Sequence, residues 1–423
     1  MLQIKKTILP NGMRVLTVPM QSTEAVTVMV HIRAGSRYET RDINGIAHFL
    51  EHMFFKGGKK YPTPKAVSET IDGIGGGFNA FTSDEYVGYY IQVAKEKVNT
   101  AFDVLSDMLM NAHFREADLN RERGVILEEM NMNKDTPVRS IWDDFEMMLF
   151  GDHPLGWTTL GLPAVIKKLQ PQDFIDYRAK LYTPKNIVLV VAGNITQKDA
   201  NKLAKQYFPY AASGKKNQPI PYQFKTHKKK LKVIYKKSEQ AHLVLGVPGF
   251  RGEHPDRYIA AVLSVILGGG MSSRLFTKIR EENGLAYNVF ATRQAFTDTG
   301  FFAAKASVDV SRIDLAVSLI LDEFRRIADE IVPNKELKKA KEYIIGHNAL
   351  SLEDSESIAY RYGLQEMLYD DIESFAELKK KIRAVTAEDV KRVAKSLFKD
   401  DRLALTVIGP YKDDKKIKKM FKL

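Results

Sequence analysis

A chain of 423 residues is about three times the length of a typical ~150-residue domain, so more than one folded unit is expected. Its 44% apolar and 27% charged content suits a globular protein with large cores and excludes collagen-like or disordered composition. The formal charge of +12 reflects 64 Lys and Arg against 52 Asp and Glu, and zero Cys excludes disulfides, iron–sulfur clusters and thiolate zinc sites, leaving a transition metal to His and carboxylates.

In chain order, the opening MLQIKKTILPNG has no apolar core of a signal peptide and no Arg/Ser-rich amphipathic stretch, so a cytoplasmic location is expected. Residues 13–20 (MRVLTVPM) and 25–36 (AVTVMVHIRAGS) read as a hairpin-like pair of strands. In residues 44–58, NGIAHFLEHMFFKGG, the apolar stretch is stopped by a Gly pair. His48 and His52 are four residues apart there, which stacks both imidazoles on one helix face. Glu51 precedes the second His, close enough to reach a water at a metal and offset enough not to be forced into ligation. This is H-x-x-E-H, the inverted zincin motif. Residues 76–93, GGFNAFTSDEYVGYYIQV, read as a further hairpin.

A catalytic zinc needs a third protein ligand and one open position. Residues 116–135 read as a helix from about Ala117, with acids at Glu122, Glu128 and Glu129. Glu122 and Glu129, seven apart, share a stripe, whereas Glu128 points about 100° away. That stripe can give one ligand and one supporting carboxylate, and spacing alone does not choose between them.

The second half repeats the first. Residues 169–194 lie over 385–410 without a gap, each a helix with an acidic first turn followed by an apolar strand ending in Gly. Residues from Tyr89 likewise match those from Phe301 as strand, polar turn and amphipathic helix. The expected fold is α+β: two homologous domains, 1–215 and 216–423, each an antiparallel-rich mixed sheet with helices packed on one face. A basic, Pro-containing linker at about 211–232 joins them. The Lys-rich stretches 215–237 and 412–423 read as a solvated linker and tail, with no nucleic-acid signature beside them. The Gly run 268–270 lacks the P-loop pattern. The longest apolar run, 258–267, is half a membrane span, so no membrane association is expected.

Six segments carry a resemblance: AGSRYE at 34–39, GIAHFLEHMFFKG at 45–57, NAFTSDEY at 79–86, ERGVILEEMNM at 122–132, HPLGWTTLG at 153–161 and LGGGMSSRLFTKIREENGLAY at 267–287. Through them the chain resembles the inverzincin peptidases of the insulysin–pitrilysin family, in particular the short-chain branch that includes mitochondrial processing peptidase and its bacterial relatives. The resemblance implies a Zn²⁺ held by His48, His52 and Glu129, with Glu122 in support and Glu51 as general base. It implies that Arg280 and Tyr287 stabilise the reacting oxygen, and that peptide substrate pairs with the backbone of Asn79 and Ala80 as an added strand. It further implies a homodimer around a closed chamber, with Arg280 and Tyr287 serving the partner's zinc site in trans. The rival expectation is a noncatalytic assembly subunit, since family members exist that have lost the metal motif.

Overall fold

A computed structural model of the chain describes residues 3–224 and 228–423. Part of the expected linker, residues 225–227, lies outside the described residues. The chain folds into two compact units, each built round one sheet.

The first sheet consists of β1 (Lys5–Ile8), β2 (Arg14–Pro19), β3 (Ala25–Ile32), β4 (Gly77–Thr82), β5 (Val87–Ala94) and β6 (Ile187–Gly193), in the order β1-β2-β6-β3-β5-β4. The hairpin expected of β2 and β3 does not form, because β6 lies between them, parallel to β2 and antiparallel to β3. The reason is in its composition: IVLVVAG is apolar at every position and buried at every position, the pattern of a central strand covered on both faces. β4, the NAFTSDEY strand, ends the sheet and pairs only with β5.

The second sheet holds β7 (Lys230–Tyr235), β8 (Gln240–Pro248), β9 (Ala286–Ala295), β10 (Gly300–Asp309) and β11 (Ala404–Gly409), ordered β7-β11-β8-β10-β9. Substituting β7 to β11 for β2 to β6 reproduces the first order, including the one parallel pair, here β7 with β11. The repeat expected from sequence is therefore a repeat of topology. Its best-matched segment begins with the same device in both copies. Asp173 accepts from the Gln170 backbone N–H at 2.7 Å, and Asp389 accepts from that of Thr386 at 3.1 Å, so the acidic first turn is a helix cap in each.

Helices mass on one face of each sheet, as expected. In the first unit Val15, Val28, Val30, Leu189 and Val191 pack against Phe49, Phe102 and Phe174. The opposite face of each sheet is covered by a single helix from the other half of the sequence. Helix Ser355–Tyr369 places Ile358, Ala359 and Tyr362 on Leu16, Val18, Met29 and Val190 of the first sheet. Helix Pro137–Phe150 places Ile141, Phe145 and Leu149 on Val244, Ala303 and Ile408 of the second. The units are thus interleaved rather than contiguous at residue 215: residues 132–156 belong to the second and 350–372 to the first. The two-residue alternation along each strand puts apolar side chains on both faces, and leaving either face uncovered would expose a continuous hydrophobic surface.

The basic stretches are less free than charge suggested. Asn217 in the linker donates to the carbonyls of Arg33 at 2.6 Å and Leu181 at 3.1 Å, tying it to the first unit. In the tail, Ile417 and Phe421, four apart among lysines, are buried in the second core. Among the described residues no helix is long and apolar enough to cross a membrane.

The helix over the first sheet approaches closely at Gly363, where a Cβ would fall 2.2 Å from the His31 ring. His31 is fully buried on β3, facing Phe81, Tyr360 and the carbonyl of Ala359. Burial pushes its imidazole down to about 4, against the weaker raising effect of the Ala359 carbonyl. Its contribution to stability is then complete above the unfolded value near 6.5 and is lost as pH falls toward 4. Between pH 7.5 and 5 the expected loss from this one group is about 2 kcal/mol, since each unit is worth about 1.4 kcal/mol. Urea unfolding at both pH values is expected to show that slope removed in His31→Leu, and an unchanged slope would contradict it.

Candidate metal centre

Helix Ile46–Phe54 buries Ile46, Ala47, Phe49, Leu50, Met53 and Phe54 against the first core, which leaves His48 and His52 on its other face. Its N-terminus has no side-chain cap of its own. Gly45 enters at φ 98°, where a Cβ would fall 2.7 Å from the Leu160 carbonyl oxygen. The capping is supplied by Glu39 of the AGSRYE segment. Its Oε2 accepts from the Gly45 N–H at 2.8 Å and from Asn44 Nδ2 at 2.9 Å, and its Oε1 accepts from the Ala47 N–H at 2.8 Å. This carboxylate is fully buried, and burial pushes it up to about 7 despite these three donors. It fixes the axis on which both histidines stand.

Helix Glu116–Asp135 brings the acids. Glu129 Oε2 lies 3.6 Å from His48 Nε2 and 3.7 Å from His52 Nε2, and the three residues can present donor atoms all within 4.8 Å of one another. Glu128 is exposed on another face of the helix. Glu122, two turns before Glu129, is buried beside His52, whose Nδ1 lies 2.8 Å from its Oε1, and Lys56 Nζ lies 2.5 Å from its Oε2. Burial alone would raise Glu122, but the bonds to His52 and Lys56 outweigh it and hold the carboxyl below its ordinary value. An ionised carboxylate only accepts, so His52 Nδ1 donates to Glu122, which leaves Nε2 as the ring nitrogen on the Glu129 side. Burial, with the neighbouring His52, pushes His48 down to about 4, so the His48 ring is neutral at pH 7. Two imidazoles and one carboxylate converging on a common point are a donor set that would suit zinc.

Glu51 stands beside this group without belonging to it. Burial raises its carboxyl and Glu129 adds to the effect, while a hydrogen bond from Thr82 and the nearby His52 oppose it. The Thr82 hydroxyl donates to Glu51 Oε2. Asn79 and Ala80 lie on β4, opposite Tyr90 and Tyr89 of β5. The Ala80 N–H is held by Asn79 Oδ1 at 2.9 Å. Arg280 and Tyr287 belong to the second unit, whereas the metal donors belong to the first. They lie together: Arg280 Nη1 donates to the Tyr287 carbonyl at 3.0 Å, its guanidinium sits 4.6 Å from the Tyr287 ring centre, and Tyr287 is 82% exposed.

The family model described as insulinase (peptidase family M16) matches residues 14–161, and that of the peptidase M16 inactive domain matches residues 168–344. A protein of Bacillus subtilis named as an uncharacterized zinc protease, YmxG, is 36% identical over 96% of this chain and 98% of its own length. A zinc protease of Streptomyces coelicolor, also named as uncharacterized, is 35% identical over 97% of this chain and 90% of its own. The chain belongs to the M16 peptidase family. Two solved structures share its fold: a protease from Helicobacter pylori, with TM-score 0.90 at 24% identity over 96% of this chain and all of that one, and a peptidase M16 inactive domain from Pseudomonas fluorescens, with TM-score 0.88 at 21% identity over 97% and 98%. The label on the second half agrees with the donor set, since every member of the one group among the described residues that could hold a metal lies in the first unit.

Three contributors to this M16 site escaped the sequence reading. Lys56 lies four residues beyond His52, and helical spacing could have flagged it. Thr82 lies two residues beyond Ala80, and strand alternation places both on one face of β4. Glu39 precedes its helix by a gap with no periodicity, and nothing in the sequence pattern points to it.

Proposed function

We propose that the chain is a zinc-dependent endopeptidase that cleaves unstructured peptides. The observation that carries this is the convergence of His48, His52 and Glu129 on one point, with Glu51 adjacent and held by a different partner. Zinc bound there supplies Lewis-acid polarisation of the scissile carbonyl and makes a water easier to deprotonate. Glu51 takes the proton from the attacking water as its oxygen bonds to the carbonyl carbon. It returns that proton to the leaving amine as the C–N bond breaks, so the carboxylate is regenerated. The peptide lies along the open edge of β4, displacing Asn79 Oδ1 from the Ala80 N–H and pairing with the backbone whatever its side chains.

Arg280 and Tyr287 donate to the oxyanion from the second unit. The exposure of Tyr287 and the grip of Arg280 on its carbonyl support a pair presented outward for that purpose. The assembly in this reading is a homodimer enclosing the substrate, with the pair acting in trans. The noncatalytic alternative loses its basis in the donors, since the metal set and the base are all present.

The test is a mixture of unstructured peptides incubated with the protein, with cuts mapped by mass spectrometry. Internal cleavages are expected, abolished by chelation and restored by zinc. Cleavages indifferent to chelation, or none at all from zinc-loaded protein, would reject the proposal.

A further inference from the structure

A carboxylate one residue from a metal-binding His, facing two imidazoles and a second carboxylate, has two possible employments. It can enter the metal's coordination sphere, or it can stand back and carry protons. Adjacency in sequence does not decide between them, because a Glu side chain is long and has several rotatable bonds. In this chain something holds it. Thr82, the last residue of β4, donates its hydroxyl to Oε2 of Glu51.

Thr82 is itself well anchored. Its backbone is in register with Val87 of β5, and its branched Cβ restricts the side chain to few rotamers. It lies on the same face of β4 as Phe78 and Ala80, which pack toward the core that carries the histidine helix, whereas Phe81 packs on the opposite face. The strand that offers its open edge and the residue that grips the carboxylate are therefore one rigid element.

We infer that Thr82 is a positioning residue, holding the Glu51 carboxylate out of the metal's coordination sphere and in register with a peptide paired along β4. The inference rests on the zinc-peptidase reading for its catalytic consequence, but not for its structural one. With Oε2 occupied by the Thr82 hydroxyl, Oε1 is the oxygen that exchanges protons. Without the hydroxyl, the carboxylate is free to swing toward the open metal position and compete with water for it.

The experiment compares wild type with Thr82→Val, which keeps the shape and removes the donor, and Thr82→Ser, which keeps the donor. Thr82→Ala gives a second hydroxyl-free variant should Val fold poorly. On zinc-loaded protein, kcat for an internally quenched peptide is expected to fall about 10- to 100-fold in Thr82→Val, with KM within about twofold and zinc content unchanged. Thr82→Ser is expected to restore most of that loss. On cobalt-loaded protein, with no substrate present, the visible absorption spectrum of Thr82→Val is expected to differ from wild type as Glu51 enters coordination. The difference should vanish in Thr82→Val combined with Glu51→Gln. Wild-type kcat and cobalt spectrum in Thr82→Val would overturn the inference, as would a raised KM with kcat preserved or a Ser variant as impaired as Val. If wild-type protein cleaves no peptide, the peptidase reading fails, and the cobalt spectra still decide whether Thr82 restrains Glu51.

Discussion

Glu51→Gln is expected to bind zinc as wild type does and to cleave peptide at least about 10²- to 10⁴-fold more slowly. The substitution changes little else. Glutamine has the same shape, its amide oxygen can still accept from the Thr82 hydroxyl, and Glu51 contributes no atom to the donor set formed by His48, His52 and Glu129. What it loses is the capacity to take and return a proton. Burial raises the Glu51 carboxyl, bringing it nearer the range where a base works efficiently at neutral pH. Elemental analysis with a quenched-peptide assay on the same sample separates the two properties. Undiminished cleavage by the variant would remove Glu51 from the mechanism, and lost zinc would make it a ligand.

The second large effect concerns the acids of helix Glu116–Asp135. Competition with a chromophoric chelator is expected to rank them by geometry. Glu129→Ala should lose zinc affinity about as heavily as His48→Ala or His52→Ala, because each removes one of three donors that meet at a point. Glu122→Gln should lose roughly 10- to 100-fold, since it loosens the His52 ring and its tautomer without removing a donor. Glu128→Gln should be neutral, its side chain being exposed elsewhere on the helix. A Glu128 variant weaker than the Glu129 variant would exchange their roles, and an unaffected Glu129 variant would leave the centre without its third ligand.

The legible parts of this molecule are those carried by local periodicity. His48 and His52 at helical spacing, the stripe that separates Glu122 and Glu129 from Glu128, and the repeated helix–strand unit with its acidic cap are all decided within a few residues of chain. The insertion of β6 between β2 and β3 was hidden because pairing partners are chosen across about 160 residues of sequence, although its unbroken apolar run marks a central strand. The exchange of helices Pro137–Phe150 and Ser355–Tyr369 was hidden for a related reason: an apolar helix face states that it must be covered, not by which sheet. Of the residues that complete the site through long-range contacts, Glu39 beneath the histidine helix has no local periodicity, and Thr82 shares the Ala80 face of β4 by strand alternation, which does not name Glu51 as its partner. Only folding brings them to their partners.

Zinc reconstitution puts the whole account to the most direct measurement. Metal-free protein titrated with zinc, while hydrolysis of an unstructured peptide is followed, should gain activity in proportion to metal and level off at one equivalent per chain. Hydrolysis by the metal-free protein, or a protein that takes up its equivalent of zinc and remains inert toward every peptide offered, would contradict it.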